Sequence, residues 1–157
     1  MKPAAWHAFI IAAFAAASVH AAPGDDVPPA VGAPPDPSLD KALAANEQKD
    51  WPRAQAILRE GLTKDPRNAN YHNLYAYAIR KGENPNLDLV FKHYNEALRI
   101  DPKHRGAHEY IGEAYLMVGN VAKAKEHLSA LDRLCFFGCD EYAMLKKAVA
   151  EFELKGK

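Results

Sequence analysis

A pattern of apolar residues that recurs about every 34 residues restricts this chain more than any other feature does. In each copy a small or medium-sized apolar residue is followed four positions later by a larger one, at Ala54 and Leu58, Val90 and Tyr94, and Ala124 and Leu128. Successive copies lie 36 and 34 residues apart, and Pro66 and Pro102 follow the first two. A period of this length is typical of stacked helical hairpins. The predicted fold class is therefore all-α.

The side chains of this pattern suit two helices that pack closely against each other. A small residue at the crossing point lets the backbones approach, and the larger residue one turn later fills the space beside it. Proline cannot continue a helix, so Asp65-Pro66 and Asp101-Pro102 are expected to close one. Turn signals are expected to separate the paired helices at Lys49–Pro52, Gly82–Glu83 and Gly119–Asn120.

The third unit resembles the tetratricopeptide repeat (TPR), whose signature is Trp-x2-Leu-Gly-x2-Tyr, then Ala-x3-Phe and Pro. Its matching residues are His108, Ile111, Gly112, Tyr115, Ala124 and Leu128. The second unit matches from His72 to Pro102, with two residues inserted within Gly82–Asp88. The first unit matches least, because Lys41 stands in place of the usual leucine. The resemblance implies a right-handed solenoid of three TPR helical hairpins, at about residues 38–68, 69–104 and 105–139.

Residues 140–157 are predicted to form a capping helix, since Tyr142, Leu145, Val149 and Phe152 make one apolar stripe. Such a helix closes the open hydrophobic end of a stack of hairpins. The chain also resembles a group of small exported bacterial TPR proteins, in the runs His104–Glu113 and Leu131–Tyr142. That group carries no assigned activity, so this resemblance implies the fold and export but no partner.

The first 37 residues differ from the rest. Residues 1–21 combine Lys2, an alanine-rich apolar run and Val19-His20-Ala21, which is the layout of a cleavable signal peptide. An uncleaved anchor is the alternative, although the run is shorter than a membrane-spanning helix needs. Residues 22–37 contain six prolines and are expected to be a disordered linker. The predicted location is periplasmic or secreted, with no stable membrane insertion after cleavage.

The balance of charge and the absence of catalytic motifs narrow the function. The chain has 20 basic and 20 acidic residues, so no nucleic-acid partner is expected. No glycine-rich phosphate loop occurs, and Ser38, Thr63 and Ser129 are not in a nucleophile elbow. We therefore expect no enzymatic activity, no catalytic residues and no cofactor.

The two cysteines, Cys135 and Cys139, lie between the third hairpin and the capping helix. Export implies an oxidising compartment, in which a disulfide between them is expected. A reactive dithiol and a copper(I) site are the alternatives, because two thiolates can hold that ion. Among the histidines, His72 and His108 occupy equivalent positions that are normally an aromatic packing slot, with metal ligation as the alternative. The main prediction includes no metal site.

The first helix of each hairpin lines the concave side in the TPR fold, and a peptide lies along it. Mapped onto this chain, the resemblance implies a groove whose binding residues are Asn73, Tyr77, Arg80, Lys81, Glu109, Glu113 and Leu116, with Leu43, Asn46, Glu47 and Met117 beside them. Asn73, Arg80 and Lys81 could bind a ligand carboxylate. A general extended-peptide groove is favoured, however, because Glu109 and Glu113 would repel that carboxylate. Those two glutamates are expected on a solvated or partner-facing edge. The expected partner is another exported protein or peptide segment, self-association is the rival, and the oligomeric state is left open.

Overall fold

The computed structural model describes residues 36–156, which form seven α-helices. Their bounds are α1 Pro37–Glu47, α2 Trp51–Lys64, α3 Ala69–Lys81, α4 Leu87–Ile100, α5 Arg105–Met117, α6 Val121–Leu134 and α7 Asp140–Lys155. The predicted signal peptide and all but the last two residues of the predicted linker lie outside the described residues. The linker prediction was one residue too long at its end, because Pro37 opens α1, a position that its fixed backbone angle favours.

Polar side chains define where the helices begin. The N-cap side chain of each of the first six helices accepts a hydrogen bond from a backbone N–H in the first turn: Asp36, Asp50, Asn68, Asn86, His104 and Asn120. Such a cap satisfies one of the donors that a helix start leaves unpaired. Lys49, Asn84, Gly119 and Gly138 have positive φ angles at turns between helices. The turns between the paired helices therefore lie at or next to the predicted positions.

The helices stack in two rows. The α-carbons of α1 lie within 8 Å of those of α3, and the same holds for α3 with α5 and for α5 with α7. No such approach joins α2 to α4 or α4 to α6 within residues 36–156. The row α1, α3, α5 and α7, called here the inner row, is therefore the shorter side of the stack, as in the predicted solenoid of three hairpins and a capping helix.

The repeated residues form the core. Ala54, Val90, Ala124, Leu58 and Tyr94 are all completely buried. Gly112 of α5 contributes by lacking a side chain, since a Cβ there would stand 2.6 Å from the nearest atom of Leu145 on α7. This close approach explains why the third unit carries glycine at that position, and it fixes the capping helix against the last hairpin.

The capping helix buries the stripe that its sequence predicts. Leu145 and Val149 are buried, and Tyr142 and Phe152 pack partly buried beside them against the residues of α5 and α6. No helix among residues 36–156 has both the length and the apolar character required to cross a bilayer.

A disulfide joins Cys135, the C-cap of α6, to Cys139, the N-cap of α7, as predicted. Replacing both cysteines by serine is expected to lower the free energy of unfolding by about 2 kcal/mol, the chain-entropy cost of so short a loop. Urea denaturation with and without reductant measures this loss. Reductant should leave the double-serine variant unchanged, and an unchanged urea midpoint for the reduced natural chain would contradict the prediction.

Candidate peptide-binding groove

Two cavities open along the inner row, and both are lined only by residues at or within its helices. The amino-terminal cavity lies between α1 and α3, has a volume of about 290 Å³ and is lined by residues that include Asp40, Leu43, Asn73 and Leu74. The carboxy-terminal cavity lies between α3, α5 and α7 and measures about 760 Å³. Its lining includes Lys81, Met117, Ala148, Phe152 and Lys155, so the capping helix forms part of the groove as well as closing the core.

Arg80 is occupied within the protein. Its side chain is only 5% exposed, and Nη2 donates to Glu113 Oε2 at 2.6 Å while Nε donates to the Tyr94 hydroxyl at 3.3 Å. The guanidinium also lies 5.6 Å from the ring centre of Tyr77 and 5.7 Å from that of Tyr110. Because its charge is already neutralised by Glu113, Arg80 is poorly placed to grip a ligand carboxylate.

Glu109 does not lie on a solvated edge, contrary to the sequence prediction. Its residue exposure is 2%, and it forms no ion pair among the described residues. Burial raises the pKa of Glu109 to about 8, and the negative charges of Glu113 and Glu141 add to the effect. The packing of α7 against α5 is the physical reason for this burial. Glu109 is therefore largely protonated at neutral pH and adds little negative charge to the groove.

Two asparagines of the inner row are buried without partners. Asn46 is 8% exposed, and neither its Oδ1 nor its Nδ2 has a hydrogen bond to any of residues 36–156. Asn73 is 4% exposed, and its Oδ1 has none within the same range. Most buried polar atoms in proteins are paired, so unpaired ones call for an explanation. Of the two, Asn73 lines the amino-terminal cavity, and an unsatisfied amide at such a place is what a surface prepared for a hydrogen-bonding ligand would contain.

The seven predicted groove residues all belong to the inner row, but they are not equally accessible. Tyr77, Lys81 and Glu113 are at least partly exposed, whereas Asn73, Arg80, Glu109 and Leu116 are buried. Tyr77 stands between Trp51 and Tyr110, with ring centres 6.0 and 4.7 Å away. That these residues bind a peptide stays a prediction.

Two histidine pairs, which the sequence reasoning missed, repeat from one hairpin to the next. His72 Nδ1 lies 2.8 Å from His93 Nδ1, and His108 Nδ1 lies 3.0 Å from His127 Nδ1. In each pair the first histidine also reaches a proline carbonyl at 3.0 Å through Nε2, that of Pro66 or Pro102. A carbonyl only accepts, so Nε2 of the first histidine carries the proton and its Nδ1 accepts from the second histidine. The signal was present, since both histidine columns follow the period of the repeat.

The histidine pairs have a chemical consequence. Burial and, to a lesser extent, the neighbouring His72 or His108 together lower the pKa of His93 and of His127 to about 4. His93 and His127 are therefore neutral at pH 7, and the hydrogen bonds of the two pairs join each inner helix to its outer partner. Packing, rather than metal ligation, is the role that this geometry supports.

The disulfide bears on the copper(I) alternative. Cys135, Cys139 and Glu141 each bring one potential ligand atom within 4.8 Å of the others. Both sulfurs are joined to each other, however, and a copper(I) ion needs them as thiolates. Metal capture at this place would thus require reduction first.

Comparisons with solved structures agree with the geometry. The TPR2B domain of yeast Sti1, solved as a complex with pHsp70, superposes with a TM-score of 0.66 at 20% identity, over 75% of this chain and 94% of that chain. SycD, a type III secretion translocator chaperone of Yersinia enterocolitica, superposes with a TM-score of 0.64 at 15% identity, over 76% of this chain and 83% of that chain. PcrH, solved in complex with the chaperone-binding region of PopD, superposes with a TM-score of 0.62 at 15% identity, over 74% of this chain and 86% of that chain.

These likenesses confirm the predicted fold: the chain is a TPR-like helical repeat protein. No family model matches the sequence, and no curated protein matches it.

Proposed function

We propose that this protein is an exported, non-enzymatic scaffold that binds an extended segment of another polypeptide along its inner row. The observation that carries the proposal is the pair of cavities on that row, together with the buried Asn73, which lines one of them and whose Oδ1 has no partner among residues 36–156. A polypeptide backbone offers both donors and acceptors to such an amide. The cavities supply apolar contacts for its side chains.

The similar structures support a polypeptide ligand. Sti1 TPR2B was solved with pHsp70, PcrH with a region of PopD, and SycD with a peptide of the translocator YopD. Each of those proteins has the same stack of hairpins. The proposal that this chain uses its own inner row in a comparable way rests on that shared fold and on the cavities.

Export is proposed from the sequence of residues 1–21 and agrees with the disulfide, because disulfides persist in oxidising compartments. The proposed location is therefore the periplasm or the extracellular space. The partner would be another exported protein, which meets the groove after both have crossed the membrane.

A displayed library of random peptides, selected against the mature protein, tests the function. Selected peptides should bind the natural chain, and Met117→Glu should weaken them by about tenfold because it puts a charge into the carboxy-terminal cavity. Val118→Glu is the matched control, since Met117 and Val118 are 51% and 47% exposed.

Light scattering at two concentrations accompanies the selection. A library without binders, or peptides equally insensitive to both glutamates, would argue against the groove. A mass that rises with protein concentration and falls in Met117→Glu would show that a second copy occupies it.

A further inference from the structure

The amino-terminal cavity has an unusual balance of groups. Its walls include Leu39, Leu43 and Leu74, and its polar lining includes the carboxylates of Asp36 and Asp40 and the amide of Asn73. Such a combination of apolar walls and oxygen acceptors favours a ligand group with a long apolar stem and a cationic head.

The two carboxylates are not equivalent. Asp36 already accepts hydrogen bonds from the Ser38 and Leu39 backbone N–H groups, at 2.9 and 3.4 Å, and from the Tyr71 hydroxyl at 2.6 Å. Asp40 is exposed and forms no ion pair with another described residue. It is therefore the carboxylate that is free to pair with a ligand cation.

Asn73 provides the second, independent observation. It lines the cavity, it is 4% exposed, and its Oδ1 accepts no hydrogen bond from residues 36–156. Its Nδ2 lies on the side of α5, where a Cβ on Gly106 would stand 3.3 Å away. An unpaired buried carbonyl oxygen destabilises the fold, and a donor supplied by a ligand would offset that cost.

We infer that the amino-terminal cavity binds a lysine or arginine side chain of the polypeptide that the groove holds, a statement that rests on the proposed function. The aliphatic stem lies against the leucines, and the head donates to Asp40. Asn73 Oδ1, which has less than 1 Å² of exposed surface, becomes its second acceptor when the Asn73 side chain turns towards the cavity. Lys64, whose positive charge helps to lower the pKa of Asp36, is paired with Glu60 at 2.6 Å. It therefore does not serve as the cationic partner of Asp40 in the cavity. A ligand carboxylate is disfavoured here by both aspartates.

The test is a titration of the ¹⁵N-labelled full mature chain with N-acetyl-arginine amide, followed by amide chemical shifts. Saturable shifts are expected at Leu39, Asp40, Leu43 and Asn73 at concentrations up to about 50 mM, the range of a weak single-side-chain ligand. N-acetyl-citrulline amide, which has the same shape without the charge, should bind about three- to fivefold more weakly. Equal shifts with the two probes, or no saturable shift, would overturn the inference.

Two variants sharpen the result. Asp40→Asn should weaken the arginine probe about three- to fivefold, whereas Asp88→Asn should not, and both aspartates lie in the first turn of a helix. Asn73→Leu should raise the midpoint of thermal unfolding while weakening the probe, an opposite pair of changes that a purely structural asparagine would not give. Library peptides that bind without a basic residue and are insensitive to Asp40→Asn would refute the inference and leave the proposed function standing.

Discussion

Replacing Arg80 with methionine is expected to lower the free energy of unfolding by about 3–5 kcal/mol, the cost of breaking a buried ion pair from one side. The guanidinium is 5% exposed and holds Glu113 at 2.6 Å and the Tyr94 hydroxyl at 3.3 Å. Its loss leaves the Glu113 carboxylate without its cation and the Tyr94 hydroxyl without its partner. Urea denaturation measures the difference.

A double-mutant cycle isolates the pair. Adding Glu113→Gln to Arg80→Met should recover part of the lost stability, because the uncompensated charge is then gone. Arg99→Met is the matched control, since Arg99 pairs with Glu96 at 2.6 Å but its side chain is 66% exposed. That change is expected to cost less than about 1 kcal/mol. Equal losses for Arg80→Met and Arg99→Met would show that Arg80 contributes no more than a surface residue.

Stability is expected to reach a maximum near pH 6.5 and to decline on both sides of it. On the acid side, the folded protein keeps His93 and His127 neutral down to a pKa of about 4, whereas the unfolded chain takes up their protons near pH 6.5. The unfolded state therefore binds more protons in this window, and stability falls as the pH drops through it. The two histidines alone would cost about 4 kcal/mol between pH 7 and pH 5, and the opposite contribution of Glu109 in this range reduces the expected net loss to about 1 kcal/mol.

On the alkaline side the sign is reversed. Glu109 holds its proton in the folded state up to a pKa of about 8, but loses it in the unfolded state near pH 4.5. The folded state now binds more protons, so stability falls as the pH rises from about 5 to about 8. Above pH 6.5 the histidines compensate less and less, so the loss due to Glu109 exceeds their gain.

Three variants separate the two contributions in urea denaturation at pH 5, 6.5 and 8. Glu109→Gln should abolish the alkaline decline, and His93→Gln with His127→Gln should flatten the acid decline. Glu83→Gln, at an exposed site, is the control and should leave the profile unchanged. A natural chain whose stability rises steadily from pH 5 to pH 8 would contradict the assignment of Glu109.

The sequence was enough to predict the stack of hairpins. Ala54, Val90 and Ala124 are buried where the period placed them, and Leu145 and Val149 close the end. These predictions succeeded because each depends on a local pattern: spacing along a helix, a capping side chain, or a proline that ends one. The disulfide followed from the separation of its cysteines and the expected compartment.

The same reasoning could not predict which groove residues are accessible. Arg80 and Glu109 are charged residues on the inner row, and charge alone suggested exposure. Their burial depends on tertiary contacts. Arg80 packs against residues of α4 and α5 and tolerates burial only because Tyr94 and Glu113 lie within reach, and Glu109 is on α5, against which α7 packs. Each histidine pair joins the two helices of one hairpin through residues about 20 positions apart in the chain, a contact that spacing along a single helix does not predict, although the period of the repeat pointed to it.

The length of the inner row also limits how many residues of an extended segment can lie along it. Four helices, with neighbouring axes about 8–10 Å apart, span about 24–30 Å from α1 to α7. An extended chain advances about 3.3 Å per residue, so a segment that binds as proposed would place about seven to nine residues along the row. Since α7 fills the place where a further hairpin would stack, the length of the row is fixed at the end that α7 forms.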